Sequence, residues 1–260
     1  MKSADIIFTH ALVLTMNPAL QHFHNGAVAV ESDSIAAVGT TDEILKEYSA
    51  KEIVNCHDNV LMPGLLNIHT HIPMNMLRGL ADDLRLDVWL QGYIWPVEHE
   101  FVNPDFVKLG TQIGCLEMIR SGITCFADMY FFEDTVAEVT AEFGLRAVCA
   151  QSVLKYPTPD AHSYEEAIDL TLKLIKRWKN HPLIVPAIAP HAAYTCPPEI
   201  LQACAKIAVE NDIPLHTHIS ETTEEVENMR KETGMPVVPY LKKQGLFEAK
   251  IFAAHCVHID

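Results

Sequence analysis

Two histidines separated by one residue, His69 and His71, and a distant His218-Ile219-Ser220-Glu221 are the groups best suited to chemistry in this chain. Residues i and i+2 of a strand project from one face, so His69 and His71 aim two imidazoles at a single point. Imidazole ligates zinc well, and a catalytic zinc takes three protein ligands and keeps a position for water. His216-Thr217-His218 offers the third nitrogen. His216 and His218 share a strand face, and the pattern alone does not rank them. Glu221, three residues beyond His218, supplies a carboxylate able to move protons beside such a water. The same glutamate also reads as a first-turn acid, because Ser220-Glu221-Thr222-Thr223-Glu224-Glu225 resembles a helix start. A second pair, His22-Phe23-His24, precedes Asn25-Gly26 and reads as a surface strand beside a turn.

The elements that must position these groups follow from the hydrophobic rhythm. Residues 1–58 read as short strands at 5–8, 11–14, 27–30 and 34–38, punctuated by Asn25-Gly26 and Gly39. This first part suits a small β-sandwich piece. From about residue 60 strands alternate with amphipathic helices. Strands are expected at 61–68, 123–129, 146–153, 184–190, 213–219 and 250–256, and helices near 104–121, 133–143, 163–180, 197–211, 222–231 and 236–244. Val60 to Ile68, an apolar run broken by Pro63-Gly64, reads as a buried strand. The expected class is α/β, a (β/α)8 barrel that assembles its site at the C-terminal strand ends. Only six strands are countable before the chain stops at Asp260, which implies a barrel cut short of its last two.

Composition narrows the class. The chain has 260 residues, 49% of them hydrophobic and 20% charged, as expected of a globular enzyme with a sizeable core. Lysine and arginine total 19 against 34 acids, a net charge of −15 that argues against nucleic-acid or anionic-membrane surfaces. Seven scattered cysteines read as reduced thiols of a cytoplasmic protein. No signal peptide and no membrane-spanning run is expected.

Several segments resemble the amidohydrolase superfamily, and within it the 5'-methylthioadenosine/S-adenosylhomocysteine deaminases. The carriers are Met62-Pro63-Gly64-Leu65-Leu66-Asn67-Ile68-His69-Thr70-His71, Met76-Leu77-Arg78-Gly79-Leu80-Ala81-Asp82-Asp83 and Trp95-Pro96-Val97-Glu98. Ser121-Gly122-Ile123-Thr124, Ala189-Pro190-His191, His216-Thr217-His218-Ile219-Ser220-Glu221-Thr222 and Ala254-His255-Cys256-Val257 extend the match to the end of the chain. The resemblance implies residues 1–58 as the N-terminal part of a composite β-sandwich and 59–260 as a metal-dependent barrel with about six of its eight strands. It implies His69, His71 and His218 as zinc ligands, Glu221 as proton shuttle, and His255 as hydrogen-bond partner of the hydroxide nucleophile or the tetrahedral centre. Glu98 corresponds to the carboxylate gripping the ribose hydroxyls, and His191 to a contact with the nucleoside. The family's metal-contacting aspartate follows an eighth strand. Asp260 lies in another segment and does not replace it. An arginine frequent after strand three is absent from Ala150-Gln151-Ser152-Val153, and Arg146 comes too early, which weakens recognition of an amino-acid tail.

The implied reaction is zinc-dependent hydrolytic deamination of a 5'-modified adenosine to the inosine derivative and ammonia, with iron or manganese as other metals such a site accepts. Related branches act on guanine, pterins or chlorotriazines, and a catalytically silent metal-binding fragment is the reading from another class. The expected partners are a small nucleoside and further copies of the chain.

Each residue also has a plainer reading. Glu98 suits a solvated carboxylate, His191 a turn, His216 a buried support and His258 a structural histidine. The apolar stretch from Met74 to Trp95 reads as core or subunit contact, and also as a wall for an apolar 5' group.

Overall fold

A computed structural model describes residues 1–259; Asp260 lies outside the described residues. The chain divides into two compact units, Met1–Gly64 and the segment from Leu65 onward.

In the first unit, β1 (Lys2–Leu14), β2 (His22–Glu31) and β3 (Ser34–Thr40) form an antiparallel meander. Helix α1 (Thr41–Glu47) then returns the chain so that β4 (Tyr48–Asn55) and the short β5 (Val60–Leu61) pair parallel to β1. A reciprocal cap between Thr40 and Glu43 starts α1. Ala4, Ile7, Ala27, Ala29, Ile44 and Tyr48 close this small core.

Three details differ from the expectation. The two short strands at 5–8 and 11–14 are one strand, whose register shifts near His10, a residue with φ of +52°. Asn25-Gly26 makes no turn: Gly26 lies inside β2, where a Cβ would stand 2.6 Å from Val13 Cγ2. Close approach of β1, and not turn geometry, demands that glycine. Strand β4 escapes the sequence pattern because it runs along an edge with Lys51 and Glu52 exposed.

The second unit is a parallel six-stranded sheet with the order β11-β10-β9-β8-β7-β6. Its strands are β6 (Leu65–Thr70), β7 (Ile123–Tyr130), β8 (Arg146–Val153), β9 (Ile184–Pro190), β10 (Pro214–Ile219) and β11 (Lys250–His255). The two ends of this order approach each other, so the sheet is a nearly closed barrel: the rings of His69 on β6 and His255 on β11 lie 5.1 Å apart. The helices between strands are α2 (Leu86–Trp89), α3 (Trp95–Phe101), α4 (Pro104–Arg120), α5 (Glu133–Glu142), α6 (Tyr164–Trp178), α7 (Pro198–Asn211), α8 (Thr223–Thr233) and α9 (Val237–Lys243).

Local sequence explains several of these boundaries. Asn103 caps α4 ahead of Pro104, Ser163 caps α6, and Thr222 caps α8, which Gly234 ends at φ +74°. Helix α6 buries Ala167, Thr171, Leu174, Ile175 and Trp178, one stripe at helical spacing. By contrast β10 is buried along Leu215 to Ile219, as both-face covering of a parallel strand requires.

Strand β6 departs from its expected burial. Its apolar run is split at Pro63-Gly64, giving Val60–Leu61 to the first sheet and Leu65–Thr70 to the second. Leu66 and Ile68 are 67% and 65% exposed, and among the described strands β6 pairs with β7 alone.

Candidate functional site

The barrel strands deliver their C-terminal ends to one cavity of about 210 Å³, lined by His69, His71, Glu98, His191, His218, Glu221 and His255 among others. Seven residues singled out in the sequence therefore meet in one place, although 186 positions separate the first from the last. His69 lies one residue before the end of β6 and His71 just follows it, His191 follows β9, His218 lies in β10, and His255 ends β11.

Neighbouring strands fix the tautomers of the rings. His71 Nδ1–H donates to the Met129 carbonyl at 2.6 Å, and His218 Nδ1–H donates to the His191 carbonyl at 2.7 Å. Both rings then present an unprotonated Nε2, and these two nitrogens lie 3.3 Å apart. Two lone pairs held face to face repel unless a cation lies between or beside them, so the donor set suits a divalent metal. One nitrogen each from His69, His218 and His255 also lie within 4.8 Å of one another. Four imidazoles thus converge, His255 joining the three expected ligands.

Electrostatics agree with neutral, ligating rings. Burial, then the neighbouring His71 and other histidines, pushes His69 down to about 3. Burial and the adjacent His71 likewise take His191 to about 3, and burial holds His71 and His218 below the ordinary histidine value. His216 is fully buried and its Nε2 lies 3.0 Å from His69 Nδ1, so it supports the His69 ring from behind.

Glu221 stands at the cavity with Oε2 3.6 Å from His255 Nε2. The turn that places it is unusual: Ser220 has φ of +51°, a left-handed conformation that costs a non-glycine residue energy. The buried Glu225 holds that turn, accepting from the Ser220 amide at 3.3 Å and the Glu221 amide at 2.8 Å. Glu221 itself precedes the cap Thr222 and is outside α8, so the first-turn reading belongs to Glu224 and Glu225 instead. His255 is likewise left-handed, at φ +70°.

Glu98 is 6% exposed and not solvated; its Oε1 accepts from the Tyr130 hydroxyl at 2.7 Å. Burial pushes this carboxyl up to about 7, offset in part by the Tyr130 hydrogen bond. The chain reaches it through a π-helical turn, Leu90–Ile94, between α2 and α3, which turns Ile94, Trp95 and Glu98 toward the cavity. Met74, Leu86, Trp89, Leu90 and Trp95 line the cavity while Met76, Leu84, Val88 and Tyr93 are exposed, so the apolar stretch contains both a wall and a surface. His191 Nδ1–H donates to Thr195 Oγ1 at 2.9 Å, which turns Nε2 toward the cavity. The ring of the exposed His258 stands 3.4 Å from Thr223 Oγ1.

Residues 60–260 match the family model described as amidohydrolase family. The chain belongs to the amidohydrolase family. This amidohydrolase is 43% identical over 95% of its length to a protein of Thermodesulfovibrio yellowstonii named 5-methylthioadenosine/S-adenosylhomocysteine deaminase, of which it covers 57%. It is 42% identical over 88% of its length to a protein of the same name from Aquifex aeolicus, covering 53% of that chain. Among solved structures, an adenosine deaminase of Xanthomonas campestris with bound zinc superposes with a TM-score of 0.96 at 36% identity, over all of this chain and 59% of that one. The chain thus spans rather more than half the length of the relatives it matches.

Sequence reasoning missed Tyr130, Asp128, Glu133, Thr195 and Glu225. Tyr130 and Asp128 sit in the apolar Cys125 to Phe132 run, where their burial reads as packing; a carboxylate inside a strand of that kind was the available signal.

Proposed function

We propose that this chain carries the metal centre and most of the substrate site of a zinc-dependent deaminase acting on a 5'-modified adenosine. The observation that carries the reading is the pair of tautomer-fixed imidazoles, His71 and His218, whose bare nitrogens face each other beside His69 and His255. His69, His71 and His218 would hold the zinc. Bound there, zinc supplies Lewis acidity and brings the ionisation of water to about pH 7.

The chain's own residues divide the remaining work. Water oxygen adds to the ring carbon bearing the amine, the carbon–nitrogen bond breaks, and ammonia leaves. Glu221 takes the first proton from water and gives it to the neighbouring ring nitrogen, where it stays. It then carries the second, from the hydroxyl of the tetrahedral centre, to the amine, which leaves as ammonia while the carbonyl forms. His255, beside Glu221, hydrogen-bonds the attacking oxygen and the tetrahedral centre. Glu98 grips the ribose hydroxyls, held in place by Tyr130, and His191 contacts the nucleoside. Leu86, Trp89, Leu90 and Trp95 exclude water around an apolar 5' group. The same reading takes residues 1–58 as part of a composite β-sandwich, residues 59–260 as the amidohydrolase barrel, and the protein as a cytoplasmic self-associating enzyme. Among the described residues no helix is long and apolar enough to cross a membrane.

Ammonia release decides the substrate. The zinc-loaded chain is expected to act on 5'-methylthioadenosine or S-adenosylhomocysteine in preference to guanine. Release from guanine alone overturns the substrate class, and no release from any of them, with zinc bound, favours a silent metal-binding chain.

A further inference from the structure

Two buried carboxyl groups take no part in the reaction above. Asp128 on β7 and Glu133 at the start of α5 are both 0% exposed. Asp128 Oδ1 accepts from the Thr70 hydroxyl and from the Ile72 amide, the latter at 2.6 Å. Thr70 and Ile72 are the residues on either side of His71. The next residue along β7, Met129, accepts from the His71 ring itself. One stretch of β7 therefore grips the His71 turn at three successive residues.

Among the described residues no group meets hydrogen-bond geometry at the other oxygen, Asp128 Oδ2, or at either oxygen of Glu133, and the nearby Tyr130 amide only partly offsets the burial of Glu133. An unpaired buried carboxylate is costly, and two side by side cannot both be charged. A single proton on Glu133, donated to Asp128 Oδ2, satisfies the pair. Burial and the Asp128 charge both raise the Glu133 carboxyl well above its usual range, which agrees with that placement. Asp128 then stays an acceptor on both oxygens, as the Thr70 and Ile72 donors require.

We propose that Asp128, backed by Glu133, is a positioning residue that locks the Thr70–Ile72 turn so that His71 Nε2 is presented to the metal. The inference rests on the metal-centre reading and adds to it the groups that hold one ligand in place. Changes in groups of this kind cost about 10–100-fold in metal affinity.

Zinc affinity by competition titration, with the visible spectrum of the cobalt-substituted chain, tests it without any turnover. Asp128→Ala removes the acceptor of both the Thr70 hydroxyl and the Ile72 amide and is expected to weaken zinc by about 10–100-fold and to alter the cobalt bands. Glu133→Gln keeps a donor toward Asp128 and is expected to retain affinity within about threefold. Asp128→Ala with unchanged zinc affinity and cobalt bands overturns the proposal. If that variant fails to fold, Thr70→Val decides: altered bands and weaker zinc support the proposal, and an unchanged centre overturns it. A wild-type chain that takes up no zinc removes the metal-centre reading and this inference together, whereas a wild-type chain that binds zinc but deaminates nothing leaves the inference standing.

Discussion

Glu221 and Glu98 are both carboxylates at one cavity, and their surroundings assign them different work. Glu221 is partly exposed and lies beside His255, where protons can move; Glu98 is closed in by Tyr130 and apolar walls. Glu221→Gln is expected to lower the deamination rate by about 10²–10⁴-fold while zinc stoichiometry stays constant, measured by ammonia release and metal analysis on the same sample. Glu98 carries a pH signature. Its folded-state value near 7 exceeds the ordinary 4.5, so the folded chain binds the proton more tightly than the unfolded chain does. The stability attached to this group is full below pH 4.5 and is lost as pH rises through 7, about 3 kcal/mol in all. Comparing unfolding free energies of wild type and Glu98→Gln from pH 4 to 8 should show a smaller decline in the variant; parallel curves would contradict the assignment. His69 and His71 were legible as a candidate metal-binding pair because two like side chains at i and i+2 need no tertiary knowledge. The buried Asp128 was not, since a carboxylate in an apolar strand reveals its partners only when another strand's loop arrives beside it.

At the scale of elements, close packing behind the histidines matters as much as the ligands. Helix α4 approaches the turn after His71 so tightly that a Cβ at Gly110 would stand 2.5 Å from the Pro73 carbonyl oxygen. Gly110→Ala forces the helix or that turn to move and should cost about 1–3 kcal/mol, read from urea unfolding, with zinc affinity falling alongside. The β10–α8 turn depends on a different device. Glu225→Ala removes the acceptor for the buried Ser220 amide and the half-buried Glu221 amide at a left-handed turn, and a loss of about 1–3 kcal/mol follows, accompanied by a lower kcat at nearly constant KM. Residue spacing announced α6 and α7 through their apolar stripes. It did not announce the π-helical turn at Leu90–Ile94, because a one-residue widening leaves hydrophobic periodicity almost unchanged.

For the whole molecule, the histidine cluster couples metal to stability. Zinc binding only the folded chain stabilises it by about 2.7 kcal/mol at a hundredfold excess over Kd. Thermal unfolding should therefore shift upward with zinc and return with a chelator, and an unmoved midpoint would argue against a metal centre. Alternation of strand and helix, the acidic balance and the chemistry of the candidate ligands were present in the sequence alone, because periodicity and side-chain chemistry are local properties. Tertiary structure decided which nitrogens face one another, which carbonyls fix their tautomers, and that Glu98 is buried. Those depend on parallel strands bringing residues 27 to 147 positions apart to one barrel mouth, and no local pattern records that register.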